Sequence, residues 1–198
     1  IQLGATPLRP EESQNTSFGI VGEIAERFYF TFDYFNIKLH DRISTTSALS
    51  LSQDDIQVLV NAGNTEAAGY GSAKYFTNDF DTTTQGIDLV VNYENYVFNT
   101  PSRFMFTYNW TDTEVDRTSL YVRTRIDGSI YFDSNLTPQR IQMIEDNLPA
   151  HRASFSMIQA FNDLSSNIRL NYYAGFYEDH LNAAAGLDIY AGSEVTID

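Results

Sequence analysis

The sequence predicts an all-β fold: an antiparallel meander that forms part of a transmembrane β-barrel wall, with short helices in two long loops. Three observations carry this expectation. Six segments alternate apolar and polar residues with period two, short and long connections between them alternate strictly, and aromatic side chains cluster at the ends of the apolar faces. The same alternation also fits a soluble β-sandwich or lipocalin-like binding module, in which the apolar face would be the core.

The predicted strands are 13–23, 27–42, 83–95, 103–115, 151–161 and 166–178, with the start of a seventh at EVTID. Their apolar sets are Phe18 and Ile20; Ile87, Leu89, Val91 and Tyr93; Phe104, Phe106, Tyr108 and Trp110; Ala153, Phe155, Met157 and Phe161; and Ile168, Leu170, Tyr172, Ala174 and Phe176. Successive strand residues face opposite sides, so the intervening residues build a polar face. That face carries Asp33, Asp88, Asn92, Arg103, Asn109, Arg169 and Asn171. Short turns fall near 24–26, 95–102 and 162–165, and long connections at about 43–82, 116–150 and 179–193.

RFYFTFDYFNIKLHDR (27–42) breaks the pattern. Its apolar residues sit at even positions up to Tyr34 and then at odd ones, Phe35, Ile37 and Leu39. Either a bulge shifts the register or the apolar face ends at Tyr34. Six steps at about 3.3 Å with a tilt near 40° climb roughly 15 Å, the span of the sister strands. The expectation is therefore an unbroken register, with Phe35, Ile37 and Leu39 turned inward and Asn36, Lys38 and His40 outward.

Two long connections carry helix signals. In LSQDDIQVLVNAG, Ser52 caps with Asp55 as its reciprocal partner and Gly63 ends the run. In LTPQRIQMIEDNLP, Thr137 caps, Pro138 takes the first helical position and Pro149 stops it. Helices are expected near 53–62 and 138–147.

Twelve basic against 26 acidic residues give a net charge of −14, which disfavours nucleic acid and anionic membrane surfaces as partners. The absence of cysteine removes disulfides, thiolate metal sites and thiol nucleophiles. No run of about 18 apolar residues exists for a transmembrane helix, whereas barrel strands average to polar. The acid pairs Glu11-Glu12, Asp54-Asp55 and Glu145-Asp146 suit solvated or capping roles rather than a hydrolase pair. His40, His151 and His180 share no metal-ligand spacing, and NDFDTTTQG lacks the central glycine and closing glutamate of a calcium loop. No nucleophile elbow, P-loop or dinucleotide fingerprint is present, so the chain is expected to have no enzymatic activity and no cofactor. A small outer-membrane enzyme or adhesin would need a catalytic constellation on the loops, and none is found.

LRPEESQNTSFGIV followed by FTFDYFNIKLHDRI resembles the late barrel of TonB-dependent outer-membrane receptors, and LSQDDIQVLVNAG, YFTNDFDTTTQGIDLVVNY, LPAHRASFSM and SNIRLNYYAGFYED follow in the same order. The resemblance implies a 22-stranded barrel in the outer membrane of a Gram-negative bacterium. It implies an N-terminal plug, outer-membrane lipid around the wall, the TonB system as energy source, and active uptake of a small-molecule or oligosaccharide cargo such as an iron chelate or cobalamin. Residues 1–198 then read as a fragment of one barrel domain without its plug. Under this resemblance the long loops would bind cargo, with Tyr70, Tyr75, Phe76, Tyr121 and Tyr131 as stacking groups and Arg123 and Arg125 as anion contacts. The polar-face residues would line the lumen.

Overall fold

A computed structural model describes residues 6–46, 48–124, 130–134, 136–161, 163–179 and 188–198. For Leu49, 120–124 and 130–133 it describes the backbone alone. The strands are β1 (Glu12–Ile24), β2 (Phe28–Thr45), β3 (Leu49–Ser50), β4 (Ser72–Ala73), β5 (Phe76–Val97), β6 (Thr100–Thr118), β7 (Leu120–Thr124), β8 (Ile130–Ser134), β9 (His151–Phe161), β10 (Leu164–Tyr173), β11 (Phe176–Glu178), β12 (Ile189–Ala191) and β13 (Glu194–Ile197). The helices are α1 (Gln53–Asn61) and α2 (Pro138–Asp146), with a 3₁₀ turn over Thr65–Gly69.

Seven strands form one sheet in the order β1-β2-β5-β6-β9-β10-β13, and β3-β4, β7-β8 and β11-β12 are separate two-stranded ribbons within the long connections. The sheet is thus a meander in chain order, as expected. Two of the short turns hold their hairpins with two-residue loops. Ala25 and Glu26 (φ 53° and 57°) turn β1 into β2, and Phe98 and Asn99 (φ 52° and 59°) turn β5 into β6. Positive φ at both central positions is the type I′ geometry, whose twist matches the flanking strands. None of these four residues is glycine, so each turn carries backbone strain that the paired strands must hold in place.

The chain divides into two compact units: 1–13, 38–82 and 115–141 form one, and 14–37, 83–114 and 142–198 the other. In the second unit the register fixes the faces. Phe106 pairs with Phe155, Phe155 with Leu170 and Leu170 with Ile197, so one apolar row crosses four strands. Tyr108, Ala153, Tyr172 and Val195 form the next row, and Phe104, Met157 and Ile168 another. Between them lie the rows Thr107-Ser154-Asn171-Thr196 and Asn109-Arg152-Tyr173-Glu194.

This apolar face is not a core. Among the described residues the buried hydrophobic side chains are Ala67, Phe80, Leu136 and Tyr177, and none belongs to the alternating sets. Phe18, Ile20, Tyr93, Phe106, Phe155, Phe161, Ile168, Leu170, Tyr172, Val195 and Ile197 are exposed. In a self-contained soluble sandwich these residues would form the core, whereas here they are exposed.

β2 answers the register question. Gly86 lies two residues before Asp88 on the polar side of β5, and a Cβ built on Gly86 would collide with the Phe35 ring. Phe28, by contrast, lines a cavity with Val91, Tyr93, Phe104, Phe106 and Phe155 on the apolar side. Phe28 and Phe35 therefore lie on opposite faces with an odd separation, and no bulge intervenes at Tyr34. β2 departs from regular geometry later, at Asp41 (φ 53°), whose N–H donates to the Asp81 carboxylate (2.9 Å). Aspartate is among the few residue types that tolerate this conformation.

The helix signals hold. Ser52 Oγ accepts from Asp55 N (3.1 Å) and Asp55 Oδ2 accepts from Ser52 N (2.9 Å), completing the capping box, and Gly63 follows with φ 98°. Thr137 Oγ1 accepts from Arg140 N (3.3 Å) at the start of α2. One expected strand differs: 166–178 breaks after Tyr173. A Cβ on Gly175 would lie 2.5 Å from the Ala191 carbonyl oxygen, and Phe176–Glu178 pair with Ile189–Ala191 instead. The glycine admits that backbone approach, which diverts the chain into a new ribbon.

Two outcomes follow from this packing. In detergent-free buffer the isolated chain aggregates, and a monodisperse, cooperatively melting species measured by light scattering would contradict the membrane face. In detergent, Gly86→Ala destabilises the folded wall by about 1–3 kcal/mol, because the Trp110 carbonyl oxygen, 2.5 Å from the new Cβ, is backbone that cannot rotate away. Denaturant titration of the two forms measures the difference.

Candidate functional site

The polar face of the 14–37, 83–114 and 142–198 unit is built from hydrogen-bonded pairs that bridge neighbouring strands. Asn109 Nδ2 donates to Asp88 Oδ1 (2.8 Å), Thr84 and Thr113 hydroxyls meet at 3.0 Å, and Asn171 Nδ2 donates to Thr196 Oγ1 (3.2 Å) and Asp198 Oδ2 (3.0 Å). Arg103 Nε and Nη2 both reach Glu94 Oε1, at 2.8 and 2.7 Å. Asp33 occupies space that a Cβ on Gly19 would fill. Arg169 pairs in register with Ser156 and Asn92 shares the side of Asp88. All seven polar-face residues expected from alternation thus sit opposite the apolar rows.

Near the short turns, this side opens into a cavity of about 470 Å³ lined in part by Glu26, Arg27, Glu94, Tyr96, Arg103 and Ile158. Two carboxylates and two guanidinium groups make its lining charge-balanced. Such a surface suits polar contacts with a further protein segment or a hydrated solute.

In the 1–13, 38–82 and 115–141 unit, the sequence-expected aromatics lie apart in role. Tyr70 is exposed, with its hydroxyl donating to Glu66 Oε2 (3.3 Å). Tyr75 is half-buried and tied by its backbone to Thr46, whose N–H reaches the Tyr75 carbonyl at 2.9 Å. Phe76 is exposed at the start of β5. In the β7-β8 ribbon, Arg123 lies opposite Tyr131 and Tyr121 opposite Asp133, which places these three candidates on one short hairpin. Their side chains and the whole of Arg125 lie outside the described residues, as does His180.

An ionic cluster that alternation does not reveal joins four segments of this unit. Arg117 Nε donates to Asp81 Oδ2 (2.9 Å) and its Nη2 to Asp81 Oδ1 (3.1 Å). Asp41 accepts from Arg9 Nη2 (2.9 Å) and stands 3.7 Å from Arg117 Nη2, while His40 Nδ1 lies 3.5 Å from Asp81. Asn78 adds hydrogen bonds to the Arg9 and Asp41 carbonyl oxygens (2.9 and 2.7 Å). Arg42 lies 5.3 Å from the Phe80 ring centre and donates to Thr82 (3.2 Å). The available signal was a charged residue near the far end of each strand, in LRP, HDR, FDT and VDRT.

The Arg117 hydrogen bond, reinforced by the Asp41 N–H, the charge of Arg117 and His40, holds the Asp81 carboxyl at about 2 against the desolvation that opposes it. Its folded value lies below its ordinary 3.8, so its contribution to stability is complete above pH 3.8 and is lost as pH falls through about 2. The cluster therefore stays intact from pH 7 down to about 4. In Arg117→Ala, Asp81 titrates nearer its ordinary value, a shift that carboxyl NMR titration reads directly. A double-mutant cycle on Asp81 and Arg117 yields about 0.5–1 kcal/mol, since Arg117 is half exposed and solvent screens the pair.

The family described as "TonB dependent receptor-like, beta-barrel" matches residues 1–197. No curated protein matches. Among solved structures, the outer membrane transporter YddB from Escherichia coli aligns with a TM-score of 0.56 at 11% identity, over 96% of this chain and 26% of that one. The RagAB peptide transporter aligns at 0.51 and 13% identity, and the RagAB peptide importer in a closed-closed state at 0.53 and 13%, each over 84% of this chain and 21% of the other. The chain thus spans about a quarter of these structures, and at such identities the likeness is one of fold. With its exposed apolar rows, polar opposite face and match over nearly its whole length, the chain belongs to the TonB-dependent receptor-like β-barrel family of the Gram-negative outer membrane.

Proposed function

We propose that this chain forms part of the wall of a receptor that takes up a scarce ligand actively, powered by the TonB system and without covalent chemistry on the cargo. The observation that carries the reading is the two-faced sheet: continuous apolar rows on one side and cross-strand polar pairs on the other. Lipid offers no hydrogen-bond partners, so a wall in hydrocarbon closes its backbone strand to strand and keeps its polar side chains toward a hydrated interior. Asp33, Asp88, Asn92, Arg103, Asn109, Arg169 and Asn171 then face the lumen, where a plug domain and the passing cargo meet them.

Cargo capture falls to the long connections, with Tyr70, Tyr75, Phe76, Tyr121 and Tyr131 stacking and Arg123 and Arg125 meeting anionic groups. Candidate cargoes are iron chelates, cobalamin, oligosaccharides and similar scarce solutes, to which the RagAB neighbours add peptides. The plug, TonB and the cargo are the partners in this reading.

Growth assays test it. A strain lacking the receptor is supplied in turn with each cargo class as its limiting nutrient, then complemented with the full-length gene. Rescue by one class, abolished when TonB is deleted, supports the proposal, whereas rescue that survives TonB deletion refutes it. Replacing Asp88 with lysine in the rescuing receptor slows uptake severalfold while surface abundance is unchanged, because the substitution alters the polar face and leaves the apolar rows intact.

A further inference from the structure

The apolar face is not uniform. Phe28, Val91, Tyr93, Phe104, Phe106 and Phe155 enclose an open cavity of about 380 Å³ with an almost wholly apolar lining. Its rings are ordered: Tyr93 stacks on Phe104 (centroids 6.1 Å, planes 28° apart) and Phe104 on Phe155 (6.3 Å, 28°), a ledge across three strands. Polar groups close one end. Tyr93 Oη accepts from Asn95 Nδ2, and two residues along from Phe104 and Met157 on the same face, Gln159 Nε2 donates to Ser102 Oγ (2.9 Å). That end is the short-turn end, since Phe28 opens β2 and Tyr93 stands four residues before β5 finishes at Val97.

We infer that this trough seats one acyl chain of a phospholipid from the periplasmic leaflet. The trough belongs to the face that meets outer-membrane lipid, and in barrels of this kind the short turns lie on the periplasmic side. A chain lying against the ledge buries its methylenes on aromatic faces, with its ester end level with the Tyr93 hydroxyl, where an amphipathic ring marks the boundary of the hydrocarbon. No lining residue is cationic, so the trough recognises the chain and not the headgroup. The inference rests on the outer-membrane location and is independent of the cargo.

The test uses the full-length receptor in phosphatidylethanolamine nanodiscs doped with a phosphatidylethanolamine that carries a photoactivatable diazirine in one acyl chain. Mass spectrometry is expected to find adducts at the trough residues enriched about tenfold over Ile168 and Leu170 on the same face, a preference that two further buried methylenes supply. Val91→Trp, which fills the trough, removes the enrichment, and Leu170→Trp leaves it. Heat-modifiable migration on gels reports separately that each variant is a folded barrel, so failure of the membrane reading is distinguishable from failure of the trough. If Val91→Trp does not fold, the wild-type adduct map still decides. Even labelling along the face, enrichment that survives Val91→Trp in a folded receptor, or labelling that depends on exchanging ethanolamine for a glycerol headgroup would each overturn the assignment.

Discussion

A peptide group taken into hydrocarbon without a hydrogen-bond partner costs several kcal/mol, and lipid supplies none. The organisation of this sheet is a response to that cost. Each strand bonds to its neighbour along the chain, so every ladder closes locally and the order β1-β2-β5-β6-β9-β10-β13 needs no crossover. Once the ladders are fixed, the pleat allots alternate residues to the two faces, and the rows Phe106-Phe155-Leu170-Ile197 and Thr107-Ser154-Asn171-Thr196 follow. Side-chain chemistry then acts on a frame already set by the backbone.

Much of this frame is legible in the sequence because strand periodicity is a long-range signal. Over ten or more residues the alternation at 103–115 or 151–161 admits one register, and the caps at Ser52 and Thr137 act locally enough to be read directly. The ribbons β3-β4, β7-β8 and β11-β12 escape that reading because strands of two to five residues are too short to show a period. The break at Gly175 escapes it because its cause, the Ala191 carbonyl, lies 16 residues away in the chain. In β2, the shift in the apolar pattern marks the end of the apolar face rather than a kink, and only the ring of Phe35 against Gly86 distinguishes the two. Among the site residues, the polar face was readable for the same reason as the strands. The loop aromatics stand out in the sequence by composition alone, which does not reveal that Tyr75 is half-buried and held by Thr46.

The cluster of Arg9, Asp41, Asp81 and Arg117 belongs to a different regime. Its members are 32 to 108 residues apart in sequence, so no window contains them together. Ion pairs of this kind tie strand ends where apolar packing is thin: the only buried hydrophobic side chain of β5 is Phe80, and Thr77, Asp79 and Thr82 are buried around it. Buried polar groups pack as well as apolar ones when each finds a partner, and they impose a stricter geometry. The unit thus gains specificity from directional contacts where the membrane-facing strands gain theirs from alternation.

The two-residue turns at Ala25-Glu26 and Phe98-Asn99 have an evolutionary consequence. A strand inverts its faces when it slips by one residue, and a tight turn is what forbids the slip. Insertions at that rim would turn phenylalanines to the polar face and arginines to the apolar one, so selection must hold its length constant. The opposite rim, where ribbons and helices already interrupt the connections, can lengthen, shorten and change composition without shifting the register of the seven-stranded sheet. Descendants of such a chain are free to diversify on one side of the bilayer and constrained on the other, a division of evolutionary labour written into the hairpins themselves.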